Sequence, residues 1–136
     1  RRWEMFRLGW VELYPADAPI RVGTTVGVLV RALGLWSLHP CRIVALVDEG
    51  GVTRRFGFVY RTLPGHAERG EERFVIEWRL DDDVVTYELR ARSRPARLLV
   101  WLGYPVARAL QHAFARDSMR AMARAVHTAP SVPIGS

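Results

Sequence analysis

Apolar residues in this chain recur at every second position through its first two thirds and at every third or fourth position after that. That change of period divides it into a sheet and a helix. Trp3, Met5 and Phe6 read as the end of a helix, Leu8 to Tyr14 as an apolar run, and Ala16-Asp17-Ala18-Pro19 as a turn. Val22, Thr24, Val26, Val28 and Val30 alternate as in a half-buried strand, which Gly34 to Pro40 is expected to break. Cys41 to Asp48 alternates again, Asp48-Glu49-Gly50-Gly51 supplies hairpin-turn residues, and Phe56, Phe58 and Tyr60 mark the next strand.

The hairpin that follows is the most sharply specified. Phe74, Ile76 and Trp78 share one strand face, as do Val85, Tyr87 and Leu89 on the next strand. A two-residue turn at Asp82-Asp83 would pair Trp78 with Tyr87, Ile76 with Leu89 and Phe74 with Ala91, whereas a one-residue slip would push half the core into water. With Trp78 on the core face, Trp78→Ala is expected to cost ~3–5 kcal/mol.

Ser93-Arg94-Pro95 reads as a helix start, a cap followed by a proline in the first turn. Leu99, Leu102, Val106, Leu110 and Ala113 then run down one helical face, with Arg97 and Arg108 opposite. Pro105 is expected to kink or split this helix near Gly103, because it lacks an N–H for Trp101. Past Phe114 the stripe shifts, and Met119, Met122 and Val126 fall on the side of Arg108. They are expected to meet either a further N-terminal segment or a partner chain, the latter giving a homo-oligomer through the end of the helix. Residues 1–126 read as one α+β domain, and residues 127–136, rich in Pro and Ser, as a mobile tail. The version expected is a curved antiparallel sheet around a long, Pro-kinked C-terminal helix, the helix-grip form.

Composition narrows the function without naming it. At 136 residues the chain can bury a real core, and no stretch approaches the ~18 apolar residues of a membrane span. Cys41 stands alone, so no internal disulfide forms and a cytoplasmic setting is expected; one cysteine and four scattered histidines make no metal site by spacing, and no cofactor motif is present. All 20 basic residues are Arg, a bias that suits a GC-rich genome. Residues 1–88 hold 12 Arg against 13 acids (net −1), and residues 89–136 hold 8 Arg against Asp117 alone (net +7). A basic C-terminal third could meet an anionic partner, but no helix-turn-helix, zinc-finger or aromatic RNA-binding pattern accompanies it, so nucleic acid is not the expected partner.

The segment Arg55 to Phe74, RFGFVYRTLPGHAERGEERF, resembles the bacterial and plant family catalogued as domain of unknown function 1990. The flanking WEMF (Trp3 to Phe6), CRIVALVDE (Cys41 to Glu49) and RSRPARLLVWLGYPVARALQHAF (Arg92 to Phe114) carry the same resemblance. Members usually read Tyr-Gly-Thr-Leu where this chain has Tyr60-Arg61-Thr62-Leu63, and commonly carry a further N-terminal segment. The resemblance implies a START-like, helix-grip fold, a superfamily whose members bind lipids, hormones and polyketides.

Glu72 is two residues before Phe74 and shares its face, so its carboxylate is expected to point inward and to need a partner. If Thr62 and Gly70 close the loop, Tyr60 lies across from it and can supply the bond. Its pKa is then expected above that of a free Glu unless Arg61 folds in to pair with it. His66 lies in the eight-residue segment Leu63 to Gly70, longer than a hairpin loop of ~2–5 residues needs, and suits proton transfer near neutral pH. Three functions follow as expectations. The first is a cavity for a small apolar molecule lined by Phe58, Tyr60, Arg61, Phe74, Ile76, Trp78, Tyr87 and the helix. The second is a cyclase or hydrolase-like enzyme using Glu72 and His66. The third is an interaction module using the basic helix.

Overall fold

In the computed structural model, which describes residues 2–66, 68–95 and 104–128, six strands follow one another in chain order across a single antiparallel sheet. They are β1 (Val11–Tyr14), β2 (Thr25–Ala32), β3 (Leu35–Glu49), β4 (Thr53–Thr62), β5 (Glu68–Arg79) and β6 (Val85–Pro95). A single 3-10 turn at Glu4–Phe6 precedes them, and helix α1 (Tyr104–Thr128) follows. The protein is α+β, a curved open sheet with a C-terminal helix in a helix-grip-like arrangement. No described helix is long and apolar enough to cross a membrane.

Alternation puts Val11, Val26, Ile43, Phe58 and Phe74 on one sheet face, where each is buried. Aromatic rings fill the centre of this face. Phe58 and Phe74 stack with centroids 5.0 Å apart, Phe6 and Tyr60 lie 5.6 and 5.3 Å from Phe74, and Phe114 brings α1 to within 5.4 Å of Phe6. Hydrogen bonds fix the helix at two further points. Tyr87 Oη and the fully buried Ser118 Oγ share one of 2.9 Å, and Trp10 Nε1 donates to Asp117 Oδ2 at 3.2 Å.

Several local expectations are corrected. Residues 34–40 do not break the sheet: Leu33 and Gly34, both at positive φ (52° and 77°), form a two-residue turn, and β3 pairs with β2 from Leu35 onward. Within β3 the register shifts between Ile43 and Ala45, so the regular alternation ends there and Leu46 faces Phe58. In the β5–β6 hairpin Trp78 pairs with Val85, Ile76 with Tyr87 and Phe74 with Leu89, two residues from the expected register. The turn is longer than assumed. Arg79 N–H bonds to Val84 O at 2.9 Å, Asp82 Oδ1 accepts from Val84 N–H at 3.2 Å, and Asp83 takes a left-handed φ of 56°. A shift of two preserves side-chain parity, so the face assignment stands.

Ser93, Arg94 and Pro95 continue β6 rather than capping a helix; Pro is tolerated because β6 is an edge strand. Leu99, Leu102 and the kink expected near Gly103 lie outside the described residues. The inward face of α1 is continuous, running through Gln111, Phe114, Ser118, Ala121, Met122 and Ala125. Two of those residues are polar, which is why an apolar stripe read alone seems to slip. Met122 is covered by Trp3 and Met5 of the N-terminal turn, within this chain, while Met119 and Val126 are exposed. The helix also takes in His127 and Thr128, the first residues of the segment read as a tail.

Candidate functional site

The aromatic packing stops at Tyr60. Beyond it the last β4–β5 pair is Arg61 with Glu71, while β5 runs on beside β6 back to Glu68, opposite Pro95. The sheet therefore has a gap between Thr62 and Glu68. Thr62 Oγ1 closes it at one point, accepting from Gly70 N–H at 3.0 Å and donating to Gly70 O at 3.3 Å. Gly70 is required there, since a Cβ would collide with the carbonyl oxygen of Arg92 and the Cα of Ser93. The connection after Thr62 is residues 63–67, five rather than eight, because β5 already begins at Glu68.

Over this end of the sheet, among the described residues, lies an open cleft of about 300 Å³ between the sheet and α1. Phe6, Val28, Val30, Leu89, Leu110 and Phe114 give it apolar walls, interrupted on the helix side by Arg108 and His112. Its polar end gathers side chains from four places, His39 on β3, Tyr60 on β4, His66 on the loop, and Glu68 and Glu72 on β5.

Parity brings Glu72 opposite Tyr60 across the strands, and Tyr60 Oη donates to Glu72 Oε2 at 2.6 Å. Burial pushes the Glu72 carboxyl above its ordinary value; the Tyr60 hydrogen bond eases it back, and the nearby Glu68 charge raises it. Arg61 does not neutralise it, because Arg61 points to the other face and pairs with Glu71 at 3.2 Å. Burial and the Glu72 charge hold the Tyr60 hydroxyl far above its normal range. The balance is thus shifted toward the neutral carboxyl, which can donate as well as accept a hydrogen bond.

The two histidine rings lie 4.7 Å apart, tilted by 57°. His66 Nδ1 accepts from Glu68 N–H at 3.0 Å, so a neutral His66 ring carries its proton on Nε2. Burial, with His39 beside it, lowers His66 to about 4. His39 is also lowered by burial, against a smaller upward pull from Glu68. His39 Nε2 lies 2.8 Å from Ser37 Oγ, and its buried Nδ1 has no hydrogen-bond partner among the described residues. Gln111 of α1 ties helix to rim, donating to Glu68 Oε2 at 2.7 Å and Ser93 Oγ at 3.2 Å.

Of the residues singled out in the sequence, Tyr60, His66 and Glu72 meet at the cleft. Phe58 and Phe74 lie in the packed core, Ile76 beside them, and Tyr87 is committed to Ser118. Arg61 faces away. Trp78 is 38% exposed, its Nε1 donating to Asp83 Oδ1 at 2.7 Å, so it belongs to the hairpin end rather than the core. Sequence reasoning missed His39, Glu68 and Gln111. His39 is in step with Cys41, a signal lost by reading residues 34–40 as a break, and Glu68 is in step with Glu72. No group of three or more His, Cys, Asp or Glu that could hold a metal ion occurs among the described residues.

A sheet gripping one helix, with an open cleft at one end, defines a class of architecture rather than an activity. The family described as Domain of unknown function (DUF1990) matches residues 1–121, and the chain belongs to this family. It is similar to a UPF0548 protein of Dictyostelium discoideum, 43% identical over 136 residues, covering 93% of this chain and 62% of that protein. A UPF0548 protein of Arabidopsis thaliana is 36% identical over 132 residues, with 93% of this chain and 62% of that protein covered. One of Deinococcus radiodurans is 40% identical over 119 residues, covering 81% and 58%. The chain thus spans about three fifths of the length of the curated relatives it matches. No solved structure matches it.

Proposed function

We propose that this chain binds a small, mainly apolar molecule bearing one hydrogen-bonding group, held in the cleft between sheet and α1 with that group against Glu72. One observation carries the reading: a buried carboxyl, hydrogen-bonded to Tyr60 and shifted by burial toward its neutral form, beside the apolar side chains of the cleft. A volume of about 300 Å³ is at the lower end of the ~300–1,000 Å³ of small-molecule sites. The buried Cys41, raised to about 12 and so kept as a thiol, fits a cytoplasmic setting. Native mass spectrometry of gently purified protein should find an adduct of constant mass that is lost on unfolding. Glu72→Gln keeps the shape and removes the acid; it should lose the adduct while melting no lower than wild type at neutral pH. A lower melting temperature with the adduct retained would strip Glu72 of any role in binding.

A second reading, an enzyme of cyclase or hydrolase type, draws on the neutral His66 ring at the same polar end as Glu72. It requires that a molecule recovered from the protein be transformed on incubation, and that His66→Gln stop the transformation without releasing the molecule.

A further inference from the structure

The β2–β3 hairpin ends in apolar side chains that nothing in the described chain covers. Leu33 is 90% exposed, Leu35 74%, Leu38 58% and Trp36 50%. Turn chemistry does not explain them. The first turn position has a φ of 52°, where a bulky residue is uncommon and Asn or Gly is favoured, yet it is Leu33. The Arg31 guanidinium lies 5.8 Å from the Trp36 ring centroid, and the two residues pair across the strands. Next to this tip the outer face of the sheet turns cationic. Leu38 shares a broad groove of about 1110 Å³ with Arg69, Arg92 and Arg94. Arg69 sits directly opposite Arg94, an arrangement that like charges disfavour, and neither they nor Arg92 makes an ion pair among the described residues.

From this juxtaposition we infer that the β2–β3 tip and the adjoining arginines dock on a bilayer surface rich in anionic lipid. Leu33 and Leu35 enter the acyl boundary, Trp36 sits at headgroup depth, and Arg69, Arg92 and Arg94 meet the phosphates. Both halves of the patch are needed for the choice of partner. Aliphatic tips suit acyl chains, whereas a nucleic acid would call for stacking rings, of which the tip has only Trp36. The inference stands whether or not the cleft holds a ligand.

Co-sedimentation of the 136-residue chain with vesicles tests it, using phosphatidylcholine alone and phosphatidylcholine mixed equally with phosphatidylserine. Wild type should partition at least ~10-fold more strongly onto the mixed vesicles, and the excess should fall as salt is raised. Leu33→Asn places a favoured residue at a left-handed turn position, so it should melt at or above wild type while partitioning ~10-fold less. Arg92→Glu with Arg94→Glu should erase the preference for the charged vesicles. Equal partitioning of Leu33→Asn and wild type would overturn the inference, as would absence of binding to either vesicle. A dimer in light scattering that Leu33→Asn dissolves would overturn it in favour of self-association. Competition by a single-stranded oligonucleotide, unaffected by Leu33→Asn, would overturn it in favour of nucleic acid.

Discussion

Tyr60→Phe removes one oxygen from the best-defined contact of the cleft and leaves its packing in place, since the ring still sits 5.3 Å from Phe74 and 6.3 Å from Phe58. What is lost is the 2.6 Å hydrogen bond to Glu72. Against a neutral carboxyl that loss should cost ~0.5–1.5 kcal/mol, and against an ionised one, whose bond is charge-assisted, ~1.5–3 kcal/mol. The cost should therefore depend on pH. Glu72 has a folded pKa raised above its ordinary 4.5, chiefly by burial. A raised pKa gives stability that is fully present below the unfolded value and is lost as pH rises through the folded one. Tyr60 opposes that rise by bonding the charged form, so without it the folded pKa moves higher and the loss on going to alkaline pH grows. Urea unfolding of both proteins at about pH 4 and about pH 8 measures the two differences. The variant should be less stable by ~1 kcal/mol in acid and ~2–3 kcal/mol in alkali. Adding Glu72→Gln to both backgrounds should remove the pH dependence of the difference. A cost equal at both pH values, or below ~0.5 kcal/mol in alkali, would refute the pairing as the source of the shift.

Phe74→Ala should cost ~3–5 kcal/mol, because Phe74 is fully buried among four aromatic rings, while Trp78→Ala should cost only ~1–2 kcal/mol because its ring is 38% exposed. Thermal or urea melts of the two variants rank them directly, and equal losses would contradict the burial difference. His66 should titrate near about 4 and stay neutral from there through alkaline pH, as followed by its ring proton shifts in NMR. A midpoint near the ordinary 6.5 would mean that the loop leaves His66 in water.

The sheet was legible where two residues in step were both apolar. Phe58, Tyr60, Phe74 and Ile76 assign their own face, and the carboxylate of Glu72 follows from the same parity because one odd member cannot change a strand's period. Register was not legible. It depends on whether the acidic run Asp81 to Asp83 forms a two-residue turn or a longer one, and that is decided by Asp82 Oδ1 accepting the Val84 N–H, a contact that composition does not encode. The β2–β3 hairpin was missed for the opposite reason. Its turn uses a leucine at positive φ where asparagine is the usual signal, so residues 34–40 looked like a break. On the helix, Gln111 and Ser118 complete the inward face, and a stripe defined by hydrophobicity alone skips both. His39 and Glu68 were lost with the segments that carry them. The polar end of the cleft was thus read as three residues, Tyr60, His66 and Glu72, where the structure brings five together.

The position of the cleft follows from where large side chains run out. On the inner face the row of Phe58 carries Phe74 on β5, and the rings of Phe6 on the 3-10 turn and Phe114 on α1 close over it. In the next row, where Tyr60 pairs with Glu72, β6 offers Ala91, and α1 lines the cleft with Ala107, Gln111 and Ala115. The alanines leave space there, Gln111 bonds to the rim at Glu68 and Ser93, and beyond Arg61 and Glu71 β4 no longer pairs with β5 to bring the strands together. A domain selected only for stability would fill such space with Leu or Phe, at roughly ~1.5–3 kcal/mol for each side chain buried. Here the cleft holds instead a carboxyl that burial shifts toward its neutral form, a tyrosine and two histidines whose pKa burial lowers, each of which costs stability to keep from water. Buried polar groups beside unfilled apolar space are what the proposed binding of a small molecule requires, and that is the reading Glu72→Gln decides.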